Sequence, residues 1–166
     1  MSLRSTLAHS FKESFAKKIA LMSSVLFFTL LSSLNASAKG DLTKQAPIEV
    51  KVVLGDKNNA MMFSPSTIEF ETGKLYKLVL ENQGPVKHYF SSDGLSQSVL
   101  TRKVQVNDAS DTPIAEIKGT IREIEVYPGF QAQWWFVPVK AGTFHDLRCS
   151  IKGHTEMGMK GTIIIK

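Results

Sequence analysis

The sequence predicts an all-β protein, a single-domain Greek-key β-sandwich, and three observations carry that prediction. Apolar and polar residues alternate in short runs over most of the chain after residue 47. Turn formers separate these runs at regular intervals, and helical periodicity is nearly absent. Period-two alternation buries one face of a strand and leaves the other wet. Short strands between regular turns are the pattern of an antiparallel sandwich.

The first 38 residues stand apart from this pattern. Arg4, Lys12, Lys17 and Lys18 precede an apolar stretch from Ile19 to Leu34, and Ala36-Ser37-Ala38 is a small-x-small cleavage pattern. The stretch has sixteen residues, five of them Ser or Thr, against the roughly 20 apolar residues of a membrane span. Residues 1–38 are therefore expected to be a secretory signal peptide, with an uncleaved anchor as the alternative. No Cys lies at the cleavage site, which excludes a lipid anchor there. Residues 39–166 are expected to form a single domain, periplasmic or otherwise exported, monomeric, and free of the membrane after cleavage.

Within that domain Ile48, Val50, Val52 and Leu54 alternate with polar neighbours, as do Tyr76, Leu78 and Leu80, and then Ile124 and Val126. Along Gln133 to Val137, Trp134 and Phe136 share one face and Trp135 and Val137 the other. Gly161 to Ile165 is β-branched and closes the chain. The turns are Gly55 to Asn59, Thr72-Gly73, Asn82 to Pro85, Tyr127 to Gly129 and Lys140 to Gly142. Ser91 to Gly119 is the least regular part, read as a short helix over Leu95 to Leu100 and a strand over Arg102 to Val106.

The chain carries 20 Lys and Arg against 15 Asp and Glu. Without the four basic residues and Glu13 of the leader, 16 face 14, a net of +2. No long basic run remains, so nucleic-acid binding has no electrostatic support.

The chemistry concentrates at the C-terminal end, in Cys149-Ser-Ile-Lys-Gly-His154-Thr-Glu-Met157-Gly-Met159. Cys149 is the only cysteine, so an internal disulfide is excluded. An exposed thiol would oxidise in an exported protein, and binding to a metal protects it. A thiolate, two imidazoles and a weak axial thioether are the donors of a blue copper site. The tail supplies three of the four, and His88, in Asn82-Gln-Gly-Pro-Val-Lys-His88, supplies the second imidazole. A sandwich strand ending at Cys149 places the thiolate at one pole. Four-residue spacers return His154 and Met159 to the same point, so the sheet fixes one donor and a single loop the other three. Met157 could also reach the axial position. His145 lies four residues before Cys149, on the same side by alternation, yet about 13 Å away at roughly 3.3 Å per residue. It reads as solvated or partnered. Met61 and Met62 read as core or surface fill, with no His or Cys beside them.

These residues resemble those of the cupredoxins, the plastocyanin and azurin family of small blue copper proteins. The Cys-x4-His-x4-Met spacing is similar to that of rusticyanin, and Gly153-His154-x4-Met159-Lys-Gly161 is similar to exported bacterial plastocyanin-like proteins. Phe63-Ser-Pro65 with Gly73, Asn82-x-Gly84-x3-His88 and Val137-Pro-Val-Lys-Ala-Gly142 extend the resemblance over about residues 48–166. It implies one type 1 copper held by His88, Cys149, His154 and Met159. His154 would form an exposed edge, and Gly84, Pro85, Val86, Gly153 and Met157 an apolar rim. The chain departs from the family at Tyr89, where many members carry Asn or Ser that ties the ligand loops together.

Counting sets other copper chemistries aside. A binuclear electron-entry centre needs two cysteines, and multicopper oxidases flank the blue-site Cys with histidines where this chain has Arg148 and Ser150. Met is a poor zinc ligand, and no catalytic Cys–His arrangement is visible, so no enzyme activity is expected. The resemblance implies a one-electron carrier docking to a redox partner protein such as a cytochrome or oxidase. A copper-tolerance protein that buffers the metal is the alternative.

Overall fold

Alternation in sequence becomes alternation in burial. In strand β1 (Ile48–Leu54) Val52 and Leu54 are wholly buried, while Glu49 and Lys51 face solvent. A computed structural model describes residues 40–108 and 110–166; the expected signal peptide lies outside them. The remaining strands are β2 (Phe63–Ser64), β3 (Thr67–Phe70), β4 (Tyr76–Asn82), β5 (His88–Ser91), β6 (Val99–Asn107), β7 (Pro113–Ile117), β8 (Glu123–Val126), β9 (Gln131–Pro138), β10 (Gly142–Arg148) and β11 (Lys160–Ile165). One short helix, α1 (Asp93–Ser96), lies between β5 and β6.

Two sheets form, of order β2-β1-β4-β9-β6-β7 and β3-β11-β10-β5-β8. They are not wholly antiparallel, as the sequence suggests: β1 runs parallel to β4, and β3 parallel to β11. The chain leaves the first sheet after Ser64 and joins the second at Thr67, so β4 returns beside β1 in the same direction. A parallel pair requires such a crossover.

The core lies between the sheets. Trp134 and Phe136 share a face, as their spacing predicts, and that face points into the core, where Phe70 joins Phe136 edge-on with ring centroids 5.1 Å apart. On the outer face Trp135 lies between the ammonium groups of Lys77 and Lys103, at 5.6 Å and 4.6 Å.

The irregular region differs most from its sequence reading. The helix begins at Asp93 because Ser92 caps it, its hydroxyl accepting from the Leu95 N–H at 3.1 Å. Val99 and Leu100 then belong to β6. Strand β7 has every residue exposed, so its sequence lacks the alternation that reveals a strand. Its Pro113 sits where an edge strand tolerates a missing N–H.

A β-bulge interrupts β10 between Phe144 and Leu147. The extra residue shifts the alternation, so Leu147 and Cys149 face the core while His145 faces solvent and bonds Thr162 through Nδ1 at 3.1 Å. Simple alternation put His145 and Cys149 on one side; the bulge corrects this. Asp146, at the bulge, accepts from the Ser92 hydroxyl and the Gly94 N–H, both at 2.7 Å, and ties β10 to α1.

Candidate metal centre

Asn82, the last residue of β4, organises the approach to the first imidazole. Its side chain is buried, with Oδ1 accepting from the Gly84 N–H and Nδ2 donating to the carbonyls of Val86 and Val126, all at 2.8 Å. One amide thus fixes the 83–87 loop and joins it to β8, so His88 enters β5 opposite Val126 in a set position. The His88 ring packs against two glycines. A Cβ on Gly55 would lie 2.7 Å from Nε2 and one on Gly84 would lie 3.0 Å from it. Gly55 also has φ +65°, which side chains other than glycine's rarely adopt.

The second imidazole and the thiol come from the loop between β10 and β11. Cys149 donates its N–H to the Met159 carbonyl at 3.1 Å, and Met159 donates its own to the His154 carbonyl at 2.9 Å. Thr155 Oγ1 donates to the Cys149 carbonyl at 2.9 Å. Gly153 and Gly158 take φ of +90° and +110° at the corners. The loop is closed on itself by these bonds, so its donors are held before any ligand arrives.

His88, Cys149 and His154 converge, with one ligand atom from each lying within 4.8 Å of the others. Cys149 Sγ is 3.4 Å from His154 Nδ1 and accepts from the Tyr89 N–H at 3.3 Å. His88, Cys149 and Met159 are wholly buried, and His154 keeps about 9% of its surface. Met159 is tied by its backbone to both Cys149 and His154. Met157 is 61% exposed, which separates the two methionines.

Both nitrogens of His88 are buried without a hydrogen-bond partner among the described residues. An unpaired buried polar group costs about 1–3 kcal/mol, and metal coordination at one nitrogen would relieve half of that cost. The donor set, soft sulfur with neutral imidazole, fits copper.

Burial, and then the charge of His154, push the His88 pKa down from 6.5 to about 4. The ring therefore stays neutral, as a metal ligand must. Between these values the unfolded chain binds a proton that the folded, metal-free protein refuses. Stability is thus full above pH 6.5 and falls by up to about 3 kcal/mol as pH drops toward 4. Urea denaturation of the metal-free protein at pH 7 and pH 4.5 should show this loss, and His88→Asn should flatten it. Equal pH dependence in both proteins would contradict the assignment.

One sequence expectation is corrected. Gly84 is buried beneath His88 and is not part of a rim; Pro85, Val86 and Met157 are exposed. At Tyr89 it is the backbone N–H, donating to Cys149 Sγ, that joins the two ligand segments, while Asn82 and Thr155 brace each segment separately. Gly55 as a support of His88 was readable only as a turn residue, whereas Asn82-x-Gly84 carries the signal of an Asx turn. Arg148 faces solvent as alternation predicts.

Residues 50–166 match the family described as copper binding proteins, plastocyanin/azurin family. The copper-resistant cuproprotein CopI of Rubrivivax gelatinosus is 32% identical over 127 residues, 76% of this chain and 71% of that protein. Among solved structures, the copper nitrite reductase of Nitrosomonas europaea is similar over 78% of this chain, with TM-score 0.55 and 13% identity. The multicopper oxidase of Campylobacter jejuni is similar over 74%, with TM-score 0.50 and 15% identity. This chain spans 52% of the first and 31% of the second, and at these identities the likeness concerns the fold alone.

Proposed function

Because the chain belongs to the plastocyanin/azurin family of copper-binding proteins, we propose that it binds one copper as a type 1 centre through His88, Cys149, His154 and Met159, and acts as a one-electron carrier. The observation that carries this reading is the convergence of two imidazoles and the sole thiol at a buried point where His88 has no hydrogen-bond partner among the described residues. Copper so held supplies a Cu(I)/Cu(II) couple.

The chain's own residues do the rest. His88 would offer Nδ1, since its Nε2 edge lies against Gly55 and Gly84. The Tyr89 N–H donates to Cys149 Sγ and so fixes its direction. The bonds of Asn82, Thr155 and the closed 149–159 loop would hold the donors in place whether copper is Cu(I) or Cu(II). His154 would provide the edge nearest the surface. Pro85, Val86 and Met157 supply exposed apolar surface suited to brief docking of a cytochrome or oxidase.

Neither of two surface clefts, of about 860 and 390 Å³, is lined by any of the four residues. We further propose export, with a mature N-terminus at Lys39. No helix among the described residues is long and apolar enough to cross a membrane.

Met159→Leu should keep copper and colour while raising the reduction potential, because an apolar group in place of a donor favours Cu(I). Met157→Leu should leave both nearly unchanged. Voltammetry showing the reverse would move the axial role to Met157.

One observation favours a second reading, copper tolerance: the relative CopI is named as a copper-resistant cuproprotein. Stopped-flow mixing with a reduced c-type cytochrome, together with growth of a deletion strain in copper, separates the two. Rapid exchange and normal growth are expected of a carrier. Absent exchange with a copper-sensitive strain would establish tolerance instead.

A further inference from the structure

We propose a second copper site at the mouth of the first, in which the thioethers of Met61, Met62 and Met157 capture Cu(I) and pass it inward to His154 and Cys149. All four methionines of the described residues lie on loops at this one pole of the sandwich. The Met62 carbonyl accepts from the Gly55 N–H at 2.9 Å, and Gly55 is the residue packed against His88. The Met61 carbonyl lies 3.5 Å from the Cβ position of Gly158, the neighbour of Met159. The backbone of the Met61-Met62 pair therefore lies against both Gly55 and Gly158, each next to an inner donor. Met157, on the 149–159 loop, has its methyl 3.9 Å from the Cβ position of Gly153, beside His154.

The loop that carries the pair is fixed, because Asp56 Oδ1 accepts from the N–H groups of Asn58 and Ala60 at 2.8 and 2.9 Å. Met61 and Met62 are half-buried and Met157 is 61% exposed, so the set runs from solvent toward the core. Thioethers are soft donors that select Cu(I), and they do not titrate, so the site would bind over a wide pH range. Copper stays Cu(I) throughout the transfer and no electron is exchanged. Cys149 ends as the thiolate and its proton passes to water.

This inference rests on the type 1 reading and names the form in which the metal arrives. Its test uses the reduced, copper-loaded protein with ¹³C-methyl methionine, given a second equivalent of Cu(I) as its acetonitrile complex without oxygen. The methyl resonances of Met61, Met62 and Met157 should shift, and that of Met159 should not. The triple variant M61L/M62L/M157L should keep the visible band of the oxidised protein, yet its metal-free form should fill from a Cu(I) chelate about tenfold more slowly, the cost of a lost contact near 1.4 kcal/mol. Unmoved methyls at all three positions, or filling at the wild-type rate, would overturn the proposal. A wild-type protein that lacks the visible band when copper-loaded and oxidised, before it is reduced for this experiment, would instead remove the type 1 reading beneath it.

Discussion

Cys149→Ser is expected to abolish the intense visible absorption of the copper-loaded protein. That band arises from charge transfer between thiolate and copper, and Cys149 is the only residue that can supply the thiolate. Serine occupies similar space but is a hard, weakly acidic donor, poorly matched to Cu(I). Copper affinity should fall with the colour, because His88, His154 and a weak thioether remain as the only donors. The fold should survive, since serine is close in size to Cys149 and can keep the Tyr89 N–H as a partner in the same buried place. Titration followed at the visible band, with circular dichroism as the check on folding, measures both. A band that persists in the variant would remove Cys149 from the site.

Asn82→Ala should be the most damaging change outside the donor set. It deletes three hydrogen bonds of 2.8 Å at a side chain only 1% exposed, and leaves the Val126 carbonyl and the Gly84 N–H without these partners. At about 1 kcal/mol or more for each bond lost in a buried place, the expected loss is roughly 3 kcal/mol. The 83–87 loop would loosen, so His88 would sample more positions and copper would leave faster to a competing chelator. Denaturation and chelator competition should both report the effect. A variant within about 0.5 kcal/mol of the wild type, the range of an ordinary surface substitution, would show that Asn82 does not hold the loop.

How far the sequence reaches differs from element to element. Strands β1 and β8 end where their alternation ends, because each buries one face and wets the other. Strand β7 escapes notice for the opposite reason: both of its faces are exposed, so no burial imprints a pattern on it. The bulge at His145 and Asp146 is invisible to period-two counting, and it reverses the side on which His145 lies. Cys149 and His154 are legible because soft donors at short spacing are rare in sequence. Met157 and Met159 offer the same chemistry, and only burial separates them. The supports of His88 are legible in part. An Asx turn announces Asn82, whereas Gly55 reaches the imidazole from a loop more than thirty positions earlier, a contact that only the folded chain creates.

The central claim, a single type 1 centre built by His88, Cys149, His154 and Met159, is tested most directly by adding Cu(II) to the metal-free domain while recording visible absorption and electron paramagnetic resonance. The expected result is a thiolate-to-copper band that grows linearly and saturates at one copper per chain, with narrow copper hyperfine splitting from electron density shared with sulfur. Copper bound without the band, with the wide splitting of a site made of nitrogen and oxygen donors, would contradict it.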